Sequence, residues 1–209
     1  MSTAPEKSHL PAGLMYGEPV WEIARLYPAQ GCWTEREYLD LETNRFVEFS
    51  DGYLEFPEMP TLSHQLIVMM LQSLLREFVM ARGLGRVVIA PYKVRLWPGK
   101  YREPDVVFVR AEHEDRLAEE CSDGADLVIE VLSHGETDRH RDLVEKRAEY
   151  ARAGIAEYWM VDPREERIVV LTLVGPEYVE HGAFLRGQRA TSRLLPGFTL
   201  DVNEALDAR

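Results

Sequence analysis

The stretch DLVIEVLS, residues 126–133, reads as a buried strand. Leu127, Val128, Ile129, Val131 and Leu132 are apolar and mostly β-favouring. Glu130 interrupts them. An ionised carboxylate in an apolar setting is costly unless a cation or hydrogen-bond donors meet it. The strand therefore raises the question of what Glu130 meets.

Working outward, RVVIAPYKVRL (86–96) and PDVVFV (104–109) read as two further strands before it. After it, DRHRDLVEKRAEYARAG (138–154) reads as a helix closed by Gly154. EYWMVD (157–162) is another strand, and ERIVVLTLV (166–174) with EYVE (177–180) continues as a β meander. Upstream, SHQLIVMMLQSLLREFVMARGLG (63–85) has Ile67, Met70, Leu71, Leu74, Leu75 and Phe78 at the helical period. Ser63 can cap that helix, and Gly83 or Gly85 ends it.

RFVEFSDGYLEF (45–56) is two alternating runs around Asp51-Gly52, a hairpin signal because both turn residues tolerate positive φ. TEREYLDLE (34–42) opens with Thr34 and has Glu37 three residues on, a capping box. The tail LLPGFTLDVNEAL (194–206) reads as a turn, a short strand and a helical turn. The order helix, strands, helix, strand predicts an α/β fold: a mixed sheet with a helix on each face and an added β meander.

The chain has 209 residues, 45% hydrophobic and 29% charged, as a soluble globular protein does. Residues 1–30, rich in Pro, Ala and Gly, read as an arm with little regular structure, and residues 31–209 as one domain. A net charge of -12 does not advertise nucleic-acid binding, so any such surface must come from local charge. Cys32 and Cys121 form neither a metal pair nor a disulfide framework, and a reduced, cytoplasmic setting is expected. The start MSTAPEKSHLPAG has no signal-peptide core, and no run approaches the roughly 18 apolar residues that span a bilayer. No membrane association is expected. The Walker, Rossmann and GxSxG patterns are absent.

Asp105 opens one strand and Glu130 lies near the end of another. On neighbouring strands the two carboxylates converge, and close carboxylates repel unless one is protonated or a cation lies between them. Oxygen donors of this kind favour Mg²⁺, Mn²⁺ or Ca²⁺ over zinc. The alternatives stay open: Asp105 can cap the turn after Pro104, and Glu130 can pair with an arginine. Lys146 lies four residues after Asp142 and four before Tyr150, so the three share a helical face. There its ammonium serves either a metal-bound water and a developing phosphate charge, or a plain surface pair with Asp142. From Arg82 to Arg102 there are six basic residues, including Lys93, Arg95, Lys100 and Arg102, and no acid, with Tyr92, Trp97 and Tyr101 interleaved. Such a segment can contact phosphates and stack on bases, or it is a solvated hairpin with aromatic packing. His64, His134 and His140 have no zinc spacing.

EPDVVFV, DLVIEVLS and DRHRDLVEKRAEYARAGIAEYWMVDP together resemble the Uma-type "putative restriction endonuclease" family of the PD-(D/E)XK nuclease superfamily. The similarity extends to VEFSDGYLEF, SHQLI and LLPGFTLDV, over about residues 33–204. The resemblance implies a restriction-endonuclease-like fold with a metal-dependent phosphodiester-cleaving site using Mg²⁺ or Mn²⁺. Asp105 matches the motif aspartate, Glu130 the acidic residue of the (D/E)XK element, and the Val131 carbonyl a further metal ligand. Lys146 matches the lysine that the family carries on the following helix, since Leu132 stands where the motif expects one. Glu48 and His64 fall at recurrent family positions, and Glu48 is expected to act in catalysis by completing the metal shell or accepting a proton.

The expectation is a divalent-metal-dependent endonuclease acting on nucleic acid, DNA in the first instance, with a homodimer as the family analogy. The alternative is a catalytically silent nuclease-fold module that binds DNA or a protein partner.

Overall fold

The structure, a computed structural model, describes residues 26–133, 135 and 139–208. Most of the arm expected over residues 1–30, and His134, lie outside the described residues. The first element is a short helix, α1 (Glu35–Leu39), which Thr34 and Glu37 close with the expected capping box. The hairpin β1 (Glu48–Ser50) and β2 (Tyr53–Glu55) turns at Asp51 and Gly52, with φ of 48° and 88°.

Helix α2 (Leu62–Met80) follows. Its N-cap is Thr61, two residues before the expected Ser63; the Thr61 hydroxyl accepts the His64 N–H. The helix ends ahead of Gly83, whose φ is positive.

The segment RVVIAPYKVRL is two strands rather than one: β3 (Gly85–Ile89) and β4 (Lys93–Trp97). Pro91, which has no N–H to give a ladder, sits between them, and the strands join different sheets. Then come β5 (Lys100–Arg102), β6 (Val106–Arg110), a 3-10 turn (Ala111–Arg116), β7 (Cys121–Asp123) and β8 (Leu127–Val131). The helix after β8 runs through a π turn (Arg141–Glu145) into α3 (Lys146–Arg152). The chain ends with β9 (Glu157–Asp162), β10 (Arg167–Val174), β11 (Glu177–Leu185), β12 (Arg189–Thr191), β13 (Thr199–Asp201) and α4 (Val202–Leu206).

The main sheet has the order β11-β10-β9-β8-β6-β3. β8 and β9 are parallel, joined by the helix between them, and the other pairs are antiparallel. A mixed sheet results, as expected. One face buries Val106, Phe108, Ile129 and Val131 under Ile67, Leu71 and Leu75 of α2. The other buries Val107, Val128 and Met160 against Tyr150 and Ile155. With both faces covered, β8 has every residue buried, including Glu130.

A second sheet, β2-β1-β5-β4-β7, packs Phe49 and Tyr101 on Tyr38 of α1. Glu157 shows how the fold treats a fully buried acid: it accepts from Trp159 Nε1, Ser192 Oγ and the backbone N–H of Arg193 and Leu194. Among the described residues no helix is long and apolar enough to cross a membrane.

Candidate functional site

The pairing of β6 with β8 sets Val106 opposite Ile129 and Val107 opposite Val128. One step further along this antiparallel register brings Asp105 beside Glu130. Both line one cavity with Glu48, His64, Lys146 and the Val131 segment. The carboxylates therefore share a face, as the strand reading anticipates.

Asp105 is held from two sides. Its Oδ2 accepts the Val131 backbone N–H at 2.7 Å, and its Oδ1 lies 3.0 Å from His64 Nε2. His64 is in the first turn of α2, so the cap that starts the helix also sets the ring over Asp105. Glu130 accepts from Lys146 Nζ at 2.9 Å and from the Tyr150 hydroxyl at 2.6 Å, both at Oε1. Oε2 takes neither bond. Lys146 also lies 3.3 Å from Glu48 Oε1 and 3.2 Å from Asp142 Oδ1. Its ammonium thus sits between three buried carboxylates from β1, β8 and the π turn. Glu48 accepts at Oε2 from Arg102 Nη1 at 2.6 Å.

The environments drive these acids apart. Burial pushes Glu130 up to about 8, assisted by Asp142 and Asp105, while Lys146 opposes the rise. Burial also pushes Glu103 up to about 8, against a hydrogen bond from the Val47 N–H. Burial works the same way on Glu48, but Lys146, Arg102 and Arg141 outweigh it and hold its carboxyl at about 2. The His64 ring is pulled down by burial and raised on balance by its bond to Asp105. Lys146 is pulled down by burial, yet Asp142, Glu130 and Glu48 leave it well above the usual lysine value.

The structure thus brings Asp105, Glu130, Val131, Lys146, Glu48 and His64 together. It does not bring the basic segment to one open surface. Lys100 and Arg102 are buried, at 5% and 1% exposure. Lys100 pairs with Glu149 at 2.7 Å, and Arg102 with Glu48, Glu55 and Glu149. Lys93 reaches back over the Tyr38 ring, and Arg95 pairs with Asp123 at 3.0 Å. Sequence reasoning missed Tyr150 as a donor to Glu130; its spacing of four from Lys146 was the available signal. It also missed Glu103, which stands in plain view before Pro104-Asp105.

Among the described residues no group of three or more His, Cys, Asp or Glu side chains is arranged to hold a metal ion. Two carboxylates and a main-chain carbonyl remain as a donor set, to be completed by water and substrate. This set is all hard oxygen, which suits a divalent cation of the magnesium type. Burial raises Glu130, with repulsion from Asp142 and Asp105 adding to it, and a cation at its carboxylate would offset both, so the residues fit the group.

A family model described as "Uma2: Putative restriction endonuclease" matches residues 35–203. The fold is similar to the crystal structure of a "putative nuclease belonging to DUF820" from Anabaena variabilis. That similarity has a TM-score of 0.68 at 18% identity and covers 84% of this chain and 98% of the other. A search of curated proteins returns no sequence match.

Proposed function

The chain belongs to the Uma2 family of putative restriction endonucleases, and from that membership we propose that it is a divalent-metal-dependent endonuclease that hydrolyses phosphodiester bonds in DNA, with Mg²⁺ or Mn²⁺ as cofactor. One observation carries the reading: a buried ammonium, Lys146, stands between Glu48, Glu130 and Asp142 in the cavity that Asp105 also lines. Asp105, Glu130 and the Val131 carbonyl would hold the cation. When bound, it supplies a water of lowered pKa and neutralises charge on the phosphate.

The side chains then divide the work. Lys146 releases Glu130 and turns its ammonium to the phosphate or the attacking water, while Glu48 and Asp142 keep it at the site. Glu48, held at about 2, is too weak a base to take a proton near neutrality. Its role is to anchor Lys146. His64 and Tyr150 orient the two carboxylates by hydrogen bonds, as partners of metal ligands do. A homodimer would offer one such site to each strand of a duplex.

The test is cleavage of single- and double-stranded DNA and RNA with Mg²⁺, Mn²⁺ or chelator, beside Glu130→Ala. Metal-dependent cutting of DNA that Glu130→Ala abolishes is the expected result. Binding without cleavage under both metals would overturn it in favour of a nuclease-fold binding module.

A further inference from the structure

The use of Lys146 depends on where its helix lies, and one residue fixes that helix from two directions. We infer that Arg102 is a positioning residue for Lys146, acting through Glu149 and Glu48; the inference rests on the nuclease reading above and assigns Arg102 inside the protein rather than on the nucleic acid.

Arg102 is 1% exposed at the end of β5. Its Nε and Nη2 grip the two oxygens of Glu149 at 2.7 and 2.8 Å. Glu149 lies three residues beyond Lys146 on α3, so this fork ties the helix to the second sheet. Nη1 donates to Glu48 Oε2 at 2.6 Å and also to Glu55. The other oxygen of Glu48 faces Lys146 at 3.3 Å. Arg102 therefore sets both the backbone that carries Lys146 and one of the carboxylates that hold its ammonium.

Charge gives the arrangement its purpose. Glu48 is as buried as Arg102, and without the guanidinium it would draw Lys146 to itself. Held there by Glu48, the ammonium could not turn to the phosphate. Lys100 supports the clamp at single points, 2.7 Å from Glu149 and 2.8 Å from Ser50 Oγ. A lysine at position 102 keeps the charge but cannot reproduce a planar fork that reaches three carboxylates.

Two variants test this: Arg102→Lys, and the milder Glu149→Gln at the helix side. Hydrogen exchange by mass spectrometry reads the clamp without reference to activity. Peptides covering 141–152 should exchange faster in both variants, and peptides of α2 should not. The Mn²⁺ concentration at half-maximal thermal stabilisation should stay within about twofold, because Asp105 and Glu130 are untouched. Turnover per folded molecule should fall about a hundredfold with KM nearly constant, the mark of lost positioning. In a Glu48→Gln background, Arg102→Lys should cost less than it does alone, because the part that acts through Glu48 is already gone and only the part that acts through Glu149 remains.

Unchanged exchange over 141–152, faster exchange throughout, or an Arg102→Lys loss that is fully additive with Glu48→Gln would each overturn the inference. If the wild type shows no metal-dependent cleavage, the nuclease reading fails, and the exchange measurement still decides whether Arg102 holds the helix.

Discussion

Glu130 is a buried carboxylate whose two hydrogen-bond donors, Lys146 and Tyr150, meet at one oxygen. Removing its charge separates stability from chemistry. In Glu130→Gln the amide keeps the shape and can still accept from Tyr150. Lys146 keeps Glu48 and Asp142 at 3.3 and 3.2 Å, so no buried cation is left without an anion. The cost of about 3–5 kcal/mol that follows from stranding a buried charge should therefore not arise. Relief of burial and of repulsion from Asp142 and Asp105 acts in the opposite direction. Thermal melts at pH 8 should find the metal-free variant at least as stable as the wild type. The same melts should find that Mg²⁺ or Mn²⁺ stabilises the wild type and not the variant. A large loss of stability without metal, together with a wild type indifferent to metal, would make Glu130 a structural residue.

Strand β5 shows how an element decides what its residues do. Lys100 and Arg102 share one face of it, turned to Glu48, Glu55 and Glu149, while Tyr101 packs on Tyr38 and Phe49. Lys100→Ala should thus behave as a folding mutation, with a loss of about 1–3 kcal/mol in urea titrations from the lost charged hydrogen bonds. Arg95→Ala removes a solvent-facing pair with Asp123 and a contact with Tyr101, and should stay within about 1 kcal/mol. In folded protein, neither Lys100→Ala nor Arg102→Lys should change the salt dependence of DNA binding; a flatter slope would return these residues to the nucleic-acid surface. The basic run looked like such a surface because its acidic partners are distant in sequence, those of Arg102 by 47 and 54 positions. Local signals fared better. The Thr34–Glu37 box, the Asp51-Gly52 turn and the period of α2 each rest on residues within a few positions of one another. The division of RVVIAPYKVRL between two sheets did not, since only the pairing of β3 with β6 and of β4 with β5 reveals it. Thr61 and Ser63 are both good caps, and local preference does not choose between them. Asp105 and Glu130 were legible as strand acids, whereas the side on which each would emerge depended on the β6–β8 register.

At the scale of the molecule, a chain of net charge -12 gathers buried acids where its two sheets meet the helix between β8 and β9. Its stability should therefore follow pH in an unusual direction. Glu130 and Glu103, at about 8 in the folded state, bind protons that an unfolded glutamate releases down to about 4.5. From pH 8 down to about 4.5 the folded state holds more protons than the unfolded one, so stability rises as pH falls, by at most about 1.4 kcal/mol per pH unit for each group. The raised His64 acts in the same sense, its contribution present below the usual histidine value and lost as pH rises. Below about 4.5 the trend reverses, because Glu48, at about 2, must take up a proton and lose its pairing with Lys146 and Arg102. Metal flattens the part of the first trend that Glu130 carries. At a hundred times its Kd a cation stabilises by about 2.7 kcal/mol, or about 5–10 °C in a chain of this size. A proton on Glu130 competes with it, so that increment should shrink as pH falls from 8.5 to 5.5. Melts across this range with and without Mg²⁺ should show two curves that converge toward acid pH, the metal-free one rising as the pH is lowered. In Glu130→Gln the metal-free curve should be flatter and the two should coincide. Metal-free stability that instead climbs steadily from pH 5.5 to 8.5 would mean that Glu130 and Glu103 are ionised in the folded protein, with cations already sufficient for both.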